Sequence, residues 1–179
     1  MTVPTADLET LVAAARPLVE SDPELEMFLS LPPGTAGKGS GAGAGFPEEY
    51  RRVIEISNGP LFGRVVIFDE RTAADMQDWI EQSTAGSEQE LDRRTWFCAG
   101  LVNDNPLLLN LGSREIWGFP GVDRTWWIDG RLVRLAGNLD DFLTGTVFSA
   151  RNYADLVGDT TEDHWLELLR RLEVQGGSR

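Results

Sequence analysis

Apolar residues at helical spacing open the chain, with Leu8, Leu11, Val12, Ala15, Leu18 and Val19 on one face of a helix over residues 5–20. Pro17 lies inside that run and is expected to break or kink it, because it has no N–H to donate and its ring crowds the carbonyl one turn back. Ser21-Asp22-Pro23-Glu24 then reads as a fresh helix start leading into Leu25, Phe28 and Leu29, with a capping residue, a proline and an early acid in order. Residues 31–45 (LPPGTAGKGSGAGAG) break the pattern as a low-complexity loop. Beyond it, Pro47 suits the opening turn of a helix whose one face carries Tyr50, Val53, Ile54 and Ser57. Asn58-Gly59 ends that helix and Pro60 cannot continue it, so the chain reverses into the β-rich run over residues 64–68.

Helical spacing returns over residues 72–83, with Ala73, Met76, Trp79 and Ile80 facing inward. From Thr95 the pattern becomes strand-like, at 96–102, 106–111, 115–119, 124–128 and 132–135. Asp129-Gly130 reads as a two-residue hairpin turn, which makes 126–135 an antiparallel pair and places Trp126 and Trp127 on opposite faces of the sheet. Helices follow at 139–143, 147–157 and 162–172. The pattern predicts one α+β domain over residues 1–179, a central mostly antiparallel sheet flanked by N-terminal and C-terminal helices, with a flexible Gly-rich loop at 34–45.

Composition narrows the function. At 179 residues and 41% hydrophobic, the chain buries roughly 70% of its unfolded surface and needs no metal or disulfide to fold. A single cysteine, no glycosylation sequon, no basic and apolar leader and no apolar window near 18 residues favour the cytoplasm and exclude a membrane partner. The 29 acidic residues outnumber 16 basic ones, for a net charge of −13. Direct nucleic-acid binding is therefore not expected, and basic partners are favoured.

The candidate chemistry is thin. The glycines at 34–45 lack the spacing of a phosphate cradle, since Gly39 follows Lys38 where a P-loop needs Ser or Thr, and no strand precedes them. His164 is the one histidine and reads as a surface residue of the last helix, whose apolar stripe is Trp165, Leu168, Leu169 and Leu172. Cys98 sits in an apolar strand with nothing beside it to lower its pKa. Glu48-Glu49 and Asp140-Asp141 open helices, where acids complement the dipole, and Asp69-Glu70 ends a strand. No catalytic residue, cofactor or metal site is expected.

The entry Pro47-x-x-Tyr50, the helix end Asn58-Gly59, the strand after it, and the late strand, Asp129-Gly130 turn, strand and Asp140–Leu143 helix with Phe142 resemble the SUKH superfamily. That superfamily includes the fungal Smi/Knr-type cell-wall regulators and bacterial immunity proteins of polymorphic toxin systems. The stretch 72–92 departs from the usual members, which carry a run of short strands there. The resemblance implies a non-enzymatic protein-binding module, an immunity protein that binds and neutralises a cognate toxin domain such as a nuclease encoded nearby. The alternative is an acidic regulatory or scaffold protein of the same fold without a toxin partner. Candidate partner-binding residues are Asp75, Asp78, Glu81, Glu88 and Glu90, in an acidic stretch (69–92) whose one base is Arg71, together with Trp126 and Trp127.

Overall fold

The computed structural model describes residues 6–36, 45–88, 90–121 and 126–176. Helix α1 (Leu8–Glu20) begins at Asp7, whose carboxylate accepts from the Thr10 N–H at 2.8 Å, and buries Leu8, Val12, Ala15 and Val19. It runs through Pro17. The proline lies on the exposed face, as does Ala13 one turn earlier, where a carbonyl deprived of its donor can meet water. Helix α2 (Pro23–Phe28) starts at the expected place, with Asp22 as its cap and Pro23 in its first turn.

Helix α3 (Glu48–Ile56) follows the expected entry at Pro47 and buries Tyr50, Val53 and Ile54. The Tyr50 hydroxyl donates to the Phe68 carbonyl at 2.7 Å, which ties the helix to the chain beyond the Asn58-Gly59 turn. Gly59 has φ 84°, the left-handed conformation the turn demands. The last carbonyls of α3 are not left to water. Arg16 donates to Ile56 at 3.1 Å while also holding Leu31 and Pro32, and the Thr35 N–H donates to Ile54 at 2.9 Å. Gly34 runs so close to α3 that a Cβ there would fall 1.8 Å from the Glu55 carbonyl oxygen. The start of the glycine-rich segment is thus part of the fold rather than a free tether, and residues 37–44 lie outside the described residues.

Among the described residues six strands form one sheet: β1 (Leu61–Phe62), β2 (Val65–Ile67), β3 (Trp96–Val102), β4 (Asn105–Asn110), β5 (Ile116–Gly118) and β6 (Val133–Ala136), antiparallel throughout and in chain order. Ser30 flanks β1 through a reciprocal pair of bonds with Leu61, at 2.7 and 3.1 Å. The β3–β4 turn has both central residues left-handed, Asn103 at φ 49° and Asp104 at φ 65°, as a tight hairpin requires. Register and pleat alternation place Val65, Ile67, Phe97, Leu107, Leu109 and Ile116 on one buried face. Tyr50 of α3 stacks edge-on to Phe97 at 4.8 Å, and Trp165 packs on Phe62 at 4.9 Å. This is the α+β single domain the pattern predicts, with helices from both ends of the chain flanking an antiparallel sheet.

Between β2 and β3, α4 (Glu70–Thr84) is capped by Asp69, which accepts from the Thr72 N–H at 2.7 Å. It buries Ala73, Gln77, Ile80 and Thr84; Trp79, expected to face inward, is 45% exposed. After β6, α6 (Leu139–Phe142) starts from Asn138 and passes into a π-helical turn, Leu143–Val147, with Phe142 fully buried. Helices α7 (Ala150–Val157) and α8 (His164–Gly176) complete the fold.

The Asp129-Gly130 hairpin is corrected. Trp126–Asp129 forms a single helical turn, α5, and β6 pairs with β5 instead of with the segment before it. The Gly130 N–H closes the turn on the Trp126 carbonyl at 3.0 Å, and a Cβ at Gly130 would sit 2.2 Å from that oxygen. The glycine answers a close backbone approach. Trp126 and Trp127 therefore do not lie on opposite faces of a strand.

Candidate functional site

The short α5 turn sinks one indole and raises the next. Trp126 is 2% exposed, tilted against Phe119 at 5.0 Å and edge-on to Trp79 of α4 at 6.3 Å. Trp127 stands perpendicular to Trp126 at 5.8 Å and is 51% exposed. Two large indoles, Trp79 and Trp127, thus reach solvent on either side of a buried third. Val133, at the start of β6, is also exposed. Exposed tryptophan over a rigid aromatic base is costly to leave uncovered and is typical of residues that dominate protein interfaces.

The acidic stretch divides into two groups. Arg93 follows it directly and clamps Asp78 at 2.7 Å and Glu81, whose carboxylate also accepts from the Arg93 backbone N–H at 2.6 Å. These bonds hold the Glu81 carboxyl below its ordinary range. Asp92 accepts from the Arg94 N–H at 2.9 Å and is lowered in the same way, while Asp69 serves as the cap of α4. Asp75, Glu88 and Glu90 are exposed and, among the described residues, join no ion pair. Arg71 lies one turn before Asp75 but outside ion-pair distance.

The groups that could carry chemistry have structural surroundings. Cys98 is buried, and burial pushes its thiol up to about 12, far from a reactive thiolate. His164 is not a free surface residue: its ring stacks on Phe28 at 4.2 Å. Glu48 and Glu49 occupy the first turn of α3, Asp140 and Asp141 that of α6. Among the described residues no group of three His, Cys, Asp or Glu is placed to hold a metal ion, and no helix is long and apolar enough to cross a membrane.

Two polar devices have no signature in the periodicity. Gln77, on the buried face of α4, accepts from the Cys98 N–H at 2.9 Å and donates to the Trp96 carbonyl at 3.2 Å. The β3 ladder shifts register between Cys98 and Gly100, and β2 ends opposite Gly100, so the glutamine amide replaces a neighbouring strand for the start of β3. Tyr153 of α7 accepts from the Arg64 N–H at 2.9 Å and donates to Asp163 at 2.9 Å, and Asp163 caps α8 through the Leu166 N–H. Burial, first, and the Asp163 charge push the Tyr153 hydroxyl well above its ordinary pKa. Compared with protein-family models, curated proteins and solved structures, the chain matches none.

Proposed function

We propose that the chain is an acidic, non-enzymatic protein-binding module of the SUKH kind, an immunity protein that captures and neutralises a cognate toxin domain with a basic surface, such as a nuclease. The observation that carries this reading is the pair of exposed indoles, Trp79 and Trp127, braced on buried Trp126 and preceded one turn earlier on α4 by Asp75, which joins no ion pair among the described residues. The aromatic rings supply rigid contact area with little side-chain entropy to lose, and the net charge of −13 favours encounter with a basic partner. The buried Cys98 and the stacked His164 are consistent with a role that needs no nucleophile.

The test is a search for a basic domain encoded beside this chain and calorimetric binding of any that is found. Wild-type protein should bind it one to one and block its activity. The double variant Trp79→Ala, Trp127→Ala should lose at least about tenfold in affinity, the scale of an interface hot spot, while remaining folded by circular dichroism with a lowered thermal midpoint, since the half of each ring packed on Trp126 is lost as well. Full affinity in the double variant would move the contact surface elsewhere. Absence of any neighbour-encoded domain that binds would leave the regulatory or scaffold alternative.

A further inference from the structure

Helices α1, α3 and α6, none of which carries Trp79 or Trp127, line a groove of about 560 Å³, within the range of pockets that hold a small molecule or one side chain. Its floor is apolar: Leu8 and Val12 of α1 with Val53 of α3, each at most 4% exposed, and Ile56 beside them. Five carboxylates and two guanidiniums stand around that floor. The two cations are already committed. Arg16 donates to the carbonyls of Leu31, Pro32 and Ile56, and Arg52 pairs with Glu48 at 2.8 Å. Most of the acids are not. Asp7 caps α1, but Glu9, Glu55 and Asp140 join no ion pair or side-chain hydrogen bond among the described residues. Glu49 is half satisfied, since one oxygen accepts from Arg114 Nε while Oε2 has no hydrogen-bond partner.

The charge selects the occupant. With five acids against two cations, the groove repels a carboxylate or phosphate and gives a neutral group no electrostatic advantage. Nor do the acids converge on a point charge, because among the described residues no three are grouped to hold a metal ion. A cation that carries several donors on an aliphatic stem suits both parts of the groove, its stem on the apolar floor and its head among the acids. We propose that this groove receives an arginine side chain from a basic segment of a protein partner, with the guanidinium set among Glu9, Glu49, Glu55 and Asp140. The inference rests on the protein-binding reading for the source of the arginine, and it adds a contact independent of the two exposed indoles.

NMR titration of the full chain at low salt tests it with three probes: N-acetylargininamide, N-acetylcitrullinamide, which keeps the shape without the charge, and butylguanidine, a free cation of the same charge. The arginine fragment should shift the methyl signals of Leu8, Val12 and Val53, bind at least fivefold more tightly than the citrulline fragment, and bind at least as tightly as butylguanidine. Two variants, each checked as folded by circular dichroism, locate the binding. Ala13→Phe sets a ring over the groove from an exposed position of α1 and should weaken binding at least fivefold with every charge kept. Glu9→Gln, Glu55→Gln and Asp140→Asn together should weaken it as much, whereas neutralising Asp75, Glu88 and Glu90, which lie outside the groove, should change it less than twofold. Equal binding of the citrulline fragment, tighter binding of butylguanidine, no effect of Ala13→Phe, or equal losses from the two sets of acids overturns the inference. If the arginine fragment fails while a neighbour-encoded domain still binds through Trp79 and Trp127, the groove alone is refuted; if the fragment binds in the groove and no such domain binds, the toxin reading falls and the groove stands.

Discussion

At the scale of single residues, the polar side chains with the most structural consequence are those that replace missing backbone partners. Replacing Gln77 with Leu leaves the Cys98 N–H and the Trp96 carbonyl buried without partners, and should cost roughly 2–4 kcal/mol in urea unfolding with no change in slope. Burial also writes a pH dependence. Cys98, Tyr50 and Tyr153 all have pKa values raised in the folded protein, so the unfolded chain loses their protons first as pH rises. Stability present below about pH 8.5 should decline above it through Cys98, then more steeply above about pH 10 through both tyrosines, by up to ~1.4 kcal/mol per pH unit for each group. Cys98→Ala should remove the first part of the decline and keep the second. Tyr50, Val53 and Ile54 were legible because helical spacing marks apolar residues; Gln77 was not, since a polar residue facing inward looks the same in sequence as one facing water.

Elements were legible where one face is buried and the period is sustained. Strands β3 and β4, helix α3 and the start of α2 fall where alternation and capping residues place them. Residues 126–130 misled because Asp-Gly carries the same turn signal whether glycine is needed for a left-handed turn or for a close approach, and only the packing of Trp126 between Phe119 and Trp79 separates the two. The left-handed pair in the β3–β4 hairpin, Asn103-Asp104, has no glycine at all. Gly34→Ala should destabilise the fold by about 1–3 kcal/mol, because its Cβ meets the Glu55 carbonyl, whereas deleting half of residues 37–44 should change stability by well under ~1 kcal/mol. Chemical denaturation of the two variants side by side checks both.

Across the whole molecule, net charge was legible from composition but its arrangement was not, because Arg93 stands one residue beyond the acidic stretch and clamps Asp78 and Glu81. Neutralising Asp75, Glu88 and Glu90 together should slow association with a basic partner about tenfold at low salt and flatten its salt dependence, with the thermal midpoint equal or higher. Neutralising Asp78 and Glu81 should instead lower the midpoint and leave a weaker kinetic effect; stopped-flow association at two ionic strengths, with melting curves, separates the groups. The order of the sheet has a further consequence. Its first strand is two residues long and already has Ser30 against it, while β6 ends the sheet with no further strand beside it among the described residues. Two copies joined through β6 would present only their β1 sides to the outside, where Ser30 already meets Leu61, so pairing through β6 closes as a twofold pair.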